Sequence, residues 1–125
     1  MSTLKVLVVD DSNAVRVRIS QILRSARYEV LTACDGAEAM ELLHKENPRL
    51  MILDVKMPNV DGYGVCEQLN RLRASADVPP VVFLTSVNSK ALELLGHEYG
   101  AYMQKPVEPE QLLSVVGEQI EKACA

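Results

Sequence analysis

Residues 5–13 read KVLVVDDSN. An aliphatic run, Val6 to Val9, leads straight into two adjacent carboxylates, Asp10 and Asp11, and then into Ser12, a residue suited to capping a helix. An unbroken apolar run is what a strand buried on both faces of a parallel sheet requires. Two acids at the end of such a strand are costly without a counter-charge. The arrangement recurs along the chain: Leu50 to Leu53 ends at Asp54, Val81 to Leu84 at Thr85, and Ala101 to Gln104 at Lys105-Pro106. Four apolar runs, each followed by a residue able to bind metal or phosphate, put the active edge at the strand C-termini. That is where open α/β sheets bind ligands.

Helical periodicity fills the gaps between these runs. After Ser12, Val15, Ile19, Ile22 and Leu23 recur at the spacing of one buried helix face. Glu29 to Ala33 reads as another strand. Asp35 with Glu38 forms a capping box that opens a helix carrying Ala39, Leu42 and Leu43 inward, and Asn47-Pro48 ends it. Met57-Pro58-Asn59-Val60-Asp61-Gly62 is a turn-forming loop, in which Asp61 shapes the Asp-Gly turn, and Val65, Leu69 and Leu72 mark the helix after it. Pro79-Pro80 delimits the fourth strand. Ser89 to Tyr99 reads as a fourth helix, with Leu92 and Leu95 inward and Gly100 as its stop. Pro109 suits the first turn of a last helix, whose stripe is Leu112, Leu113, Val116 and Ile120. Five strands alternating with five helices through right-handed crossovers give an α/β domain, a doubly wound parallel sheet covered on both faces. No repeat, linker or low-complexity segment divides residues 1–125, so one domain is expected.

Composition narrows the function. A net charge of −4 argues against direct nucleic-acid binding by this chain, because duplex affinity comes mainly from neutralising phosphates. Arg16, Arg18, Arg24 and Arg27 read as a solvated helix face. No run approaches the ~18 apolar residues of a membrane span, and Met1 to Lys5 enters a strand without a signal-peptide core, so no membrane insertion is expected. Cys34, Cys66 and Cys124 are odd in number and have no CxxC spacing, which fits free thiols in a cytoplasmic protein. His44 and His97 stand alone and are not expected to be ligands.

Three carboxylates held together repel one another, and a divalent cation relieves the repulsion. Oxygen ligands without thiolate or imidazole suit Mg²⁺. Beside such a cation one carboxylate can attack phosphorus, giving an aspartyl-phosphate, while a lysine neutralises the phosphoryl oxygens.

On Asp10-Asp11, Asp54, Met57-Pro58, Asp61-Gly62, Thr85-Ser86 and Lys105-Pro106 taken together, the whole chain resembles a response-regulator receiver domain of bacterial two-component signalling, of the chemotaxis-regulator kind. The resemblance implies a flavodoxin-like (βα)5 fold with a five-stranded parallel sheet in the order 2-1-3-4-5. It implies that Asp54 is the phosphoacceptor, supplied by a sensor histidine kinase or a histidine phosphotransfer protein. Asp10, Asp11, Asp54 and the backbone carbonyl of Lys56 would hold Mg²⁺. Thr85 would donate its hydroxyl to the phosphoryl group, and Lys105 would pair with Asp54 before phosphorylation and with the phosphate after it. Thr85 and Tyr102 would act as the switch pair, and the Lys105-Pro106 bond would be cis. The surface of the fourth helix, fifth strand and fifth helix would then bind a downstream protein or a second copy of the chain. Such a protein is a switch that only assists its own phosphorylation and dephosphorylation, not an enzyme acting on other substrates.

Three features depart from the pattern or compete with it. Lys56 and Val87 flank the pocket with a cation and an apolar side chain, which predicts a slowly hydrolysing phosphate. The segment from Thr85 to Lys105 is one or two residues shorter than the family suggests, which bears on partner geometry. A small aspartate-nucleophile phosphatase would share the chemistry, but it wants an Asp-x-Asp motif where Asp10-Asp11-Ser12-Asn13 stands, and a cap domain. A flavodoxin-like FMN carrier would share the fold but needs a phosphate loop after the first strand. The last residues, Lys122 to Ala125, fit either a stand-alone regulator or a receiver excised from a longer regulator or hybrid kinase.

Overall fold

Side chains along the three central strands alternate between two buried surfaces, which explains why their sequences show no polar alternation. The computed structural model describes residues 4–54, 79–85 and 100–124. In chain order these form β1 (Lys5–Val9), α1 (Asn13–Ser25), β2 (Glu29–Ala33), α2 (Gly36–Glu46), β3 (Leu50–Asp54), β4 (Val81–Thr85), β5 (Gly100–Gln104) and a C-terminal helix (Pro109–Cys124). All strand pairs are parallel and the order is β2-β1-β3-β4-β5, as the resemblance implies.

Leu7, Val9, Met51, Leu53, Val81 and Phe83 face one side, where Ala39 and Leu43 of α2 cover them. Val6, Val8, Leu50, Ile52, Val82 and Leu84 face the other, under Ile19 and Leu23 of α1 and under Leu112, Val116 and Ile120 of the C-terminal helix. The period of two in a strand produces this division, and each fully buried aliphatic side chain stabilises the fold by about 1.5–3 kcal/mol.

The helix signals act as read, with one difference. Ser12 Oγ accepts from the Val15 amide at 3.3 Å and Asp35 accepts from the Glu38 amide at 2.9 Å. The Glu38 carboxylate, however, reaches past the cap and accepts from the Cys34 amide at 3.4 Å, so the box closes one residue earlier than the motif implies. Asn47 leaves α2 in the left-handed region, with φ 49°, a conformation asparagine tolerates, and Pro48 follows. Pro109 starts the C-terminal helix, and Lys105-Pro106 is cis.

Gly100 has a role in the sheet that its sequence position hides. It is the first residue of β5, paired with Val81, and a Cβ there would run into the Val81 carbonyl oxygen and lie 2.9 Å from the Val81 nitrogen. The helix it was expected to stop lies outside the described residues. So do Lys56, residues 57–62 expected to form a loop, the expected helix with Val65, Leu69 and Leu72, Val87, and the part of the segment from Thr85 to Lys105 that lies between Thr85 and Gly100.

Candidate functional site

Parallel strands in register deliver their C-terminal residues to one edge, and the three acids, Thr85 and Lys105 all arrive there. Asp10 directly follows β1; its amide continues the ladder to the Ala33 carbonyl at 3.1 Å, which fixes its backbone. Its side chain is fully buried and Oδ1 accepts from the Ser12 amide at 2.9 Å. Asp54 is the last residue of β3 and is also buried, whereas the neighbouring Asp11 is exposed. Asp10, Asp11 and Asp54 bring one carboxylate oxygen each to within 4.8 Å of the others.

At that spacing two ionised carboxylates repel by about 3.5 kcal/mol at an effective dielectric constant of 20. Lys105 answers part of this. Its ammonium lies 3.1 Å from Asp10 Oδ2 and 3.5 Å from Asp54 Oδ1, bridging the two buried acids. The lysine is held in place through its backbone, whose amide donates to the Thr85 carbonyl at 2.7 Å. Thr85 itself is buried at the end of β4. Sequence reasoning assigned Lys105 to Asp54; the structure also gives it Asp10, at the shorter distance.

Three formal negative charges against one positive leave a deficit of two, and the donors are all hard oxygens. A divalent cation of the Mg²⁺ type fits that set, and the exposure of Asp11 leaves one side open for waters.

Arg16 is the site residue that the sequence reading missed. Its guanidinium donates to the backbone carbonyl of Asp10 and, at 3.1 Å, to Asn13 Oδ1, clamping the turn that carries both leading acids. Arg18 donates to the Val107 carbonyl at 3.3 Å and so ties α1 to the segment after Lys105-Pro106. These two are therefore not simply solvated. The available signal was position: helical side chains lean toward the N-terminus, so an arginine in the first turn reaches back over the strand end.

The remaining candidates fall as follows. Tyr102 lies in β5 opposite Phe83, half-buried against the α2-side core. His44 is exposed on α2. Cys34 is exposed, and its thiol donates to Glu38 Oε2 at 3.2 Å. That hydrogen bond, with partial desolvation and the charges of Glu38 and Asp35, pushes the thiol pKa up against a small opposing effect of Arg16. Such a thiol is a poor nucleophile. Among the described residues no helix is long and apolar enough to cross a membrane.

A family model described as the response regulator receiver domain matches residues 6–117. The chain is 42% identical over 110 residues to a probable transcriptional regulator, ycf27, of Galdieria sulphuraria, covering 86% of this chain and 42% of that protein. It is 37% identical over 110 residues to the alkaline phosphatase synthesis transcriptional regulatory protein PhoP of Bacillus subtilis, covering 86% and 45%. The chain thus spans less than half the length of these curated relatives. Among solved structures, the chemotaxis protein CheY4 of Vibrio cholerae superimposes with a TM-score of 0.83 at 34% identity, over 94% of this chain and 99% of that one.

Proposed function

The chain belongs to the response regulator receiver domain family, and from that premise we propose that it is a switch set by transfer of a phosphoryl group to Asp54. The observation that supports this best is the pairing of a buried carboxylate with Lys105 at 3.5 Å, inside a three-acid cluster. In the proposed reaction an Asp54 oxygen attacks the phosphorus of a phosphohistidine on a sensor histidine kinase or a histidine phosphotransfer protein. The P–N bond breaks, its electron pair returns to the imidazole, which takes a proton from solvent, and a carboxylic–phosphoric anhydride remains on Asp54.

Asp10, Asp11, Asp54 and the Lys56 carbonyl would hold Mg²⁺, which when bound supplies Lewis-acid neutralisation of the phosphoryl oxygens. Lys105 orients Asp54 beforehand and compensates the new charge afterwards, because one ammonium already serves both acids. Thr85 donates its hydroxyl to a phosphoryl oxygen. Arg16 holds the Asp10 backbone so that the acids stay aimed at the edge.

Phosphorylation adds about −1.5 to −2 charges at the end of β3 and gives Thr85 and Lys105 a new partner. The resulting population shift would pass through Tyr102 to the surface of the fourth helix, β5 and the C-terminal helix, where a downstream protein or a second copy docks. The Galdieria and Bacillus relatives support a receiver that serves within a longer transcriptional regulator, whereas the match over 99% of the chain of a chemotaxis protein, CheY4, supports a receiver of about this length. Either would work in the cytoplasm, assisting only its own phosphorylation and dephosphorylation.

The test is intact-protein mass after incubation with acetyl phosphate and Mg²⁺. A gain of one phosphoryl group in the wild type and none in Asp54→Ala supports the assignment. No gain in the wild type, under conditions where Mg²⁺ demonstrably binds, overturns it. Steady turnover of a generic phosphate ester would instead point to the phosphatase.

A further inference from the structure

The groove between α1 and β2, which starts beside the Arg16 clamp, is lined by hydrogen-bond donors and by a residue whose hydroxyl is orphaned. Ser20 sits in α1 with 4% exposure, and its Oγ is buried without a hydrogen-bond partner, the one such side-chain atom among the described residues. A serine inside a helix ordinarily donates to the carbonyl a turn earlier, and a buried hydroxyl left unpaired is costly. An unpaired group of this kind calls for an ordered water, an ion or a ligand to complete it.

Ser20 lines a hollow of about 330 Å³. Asn13, Arg16, Gln21 and Arg24 line it from the same helix at the spacing of a single face, and Thr32 of the edge strand β2 completes it. Every polar side chain around the hollow offers N–H or O–H donors, two are guanidinium groups, and no carboxylate lines it. Neither Arg16 nor Arg24 forms an ion pair with a carboxylate among the described residues. In a chain of net charge −4, a hollow so uniform in donors is built for an anion. Val17, the one large apolar side chain among the described residues that is strongly exposed, also lines it and provides a surface for an organic group.

We propose that this hollow binds a small phosphate monoester, its phosphate held by Arg16, Arg24 and the Ser20 hydroxyl and its organic part resting on Val17. The volume lies at the lower end of the ~300–1,000 Å³ of small-molecule sites, which suits a compact ligand better than a nucleotide. Arg16 has donors to spare, since a guanidinium carries five N–H groups and the contacts to Asp10 and Asn13 use two of them. The hollow shares Arg16 with the clamp on the Asp10 carbonyl, but none of Asp10, Asp11 and Asp54 lines it, and binding there needs no phosphoryl transfer to Asp54.

The test is a titration of isotopically labelled protein by NMR, in EDTA and without phosphodonor, with inorganic phosphate in one arm and glycerol 3-phosphate in the other. Saturable shifts at the Ser20, Arg24 and Thr32 amides are expected, with glycerol 3-phosphate binding more tightly than inorganic phosphate. Arg24→Gln, at an exposed position, should weaken binding about tenfold. Ser20→Ala should weaken binding too, yet melt no lower than the wild type in phosphate-free buffer, because it removes an unpaired hydroxyl. Equal affinity for the two probes would reassign the site to free phosphate and overturn the monoester assignment. Shifts that never saturate, or that persist unchanged in both variants, would leave Arg24 a solvated side chain and the hydroxyl merely orphaned, and would overturn the proposal.

Discussion

Replacing Lys105 by methionine should expose how the acidic edge is held before any metal binds. The substitution keeps most of the stem and removes only the ammonium. That group lies 3.1 Å from Asp10 and 3.5 Å from Asp54. At an effective dielectric constant of 20 each attraction is about 5 kcal/mol. Most of this is offset by the desolvation of the ions, and the lysine side chain is 23% exposed, so the net loss is smaller. We expect Lys105→Met to destabilise the metal-free protein by about 3 kcal/mol, as when one partner of a largely buried pair is removed. For a domain of this size that lowers the melting temperature by about 10 °C. The variant also loses a cation that competes for the same carboxylates, so Mg²⁺ should bind it about tenfold more tightly. A given Mg²⁺ concentration would then raise its melting temperature by more than that of the wild type. The assay is thermal unfolding followed by circular dichroism, in EDTA and across a Mg²⁺ series. If Lys105→Met melts with the wild type in EDTA, or if Mg²⁺ lifts both proteins equally, Lys105 does not neutralise this cluster.

Other perturbations test the scaffold around the site. Gly100→Ala should cost about 3 kcal/mol in urea unfolding, since the new Cβ meets Val81 backbone that cannot yield; a neutral result would mean that β5 shifts freely against β4. Arg27 has φ 71°, so Arg27→Gly should stabilise by about 0.5–1 kcal/mol by relieving left-handed strain; a loss of stability would show the side chain contributing more than the strain costs. The raised pKa of Cys34, caused first by its hydrogen bond to Glu38, keeps the thiol protonated, so its alkylation at mildly alkaline pH should lag that of free cysteine. Glu38→Gln removes the anionic acceptor, lowers that pKa and should speed alkylation, read by peptide mass at Cys34; an unchanged rate would rule out the carboxylate as the cause.

Much of the architecture was legible because it is written locally. A strand buried on both faces must be apolar without alternation, and Val6 to Val9, Leu50 to Leu53 and Val81 to Leu84 could therefore be read as central strands directly. The caps at Ser12 and Asp35, the stop at Asn47-Pro48 and the start at Pro109 depend on neighbours within four residues, and each appears where the sequence places it. Gly100 was harder. A glycine after a helical stretch reads as a stop, and nothing nearby in sequence shows that Val81, nineteen positions away, presses on its α-carbon.

The sequence alone determined that three acids, a threonine and a lysine would gather at one edge, because parallel strands in register deliver their ends to the same side. Only the tertiary structure decided how they share charge: that Asp10 and Asp54 are buried while Asp11 is exposed, that Lys105 bridges both buried acids, and that Arg16 grips the Asp10 carbonyl. The physical reason is range. Strand and helix propensities act over a few residues and survive small errors of placement. The partner of an ammonium at the end of a flexible chain is fixed by ångström differences between β1, β3 and β5, which are set by how the whole sheet packs against its helices.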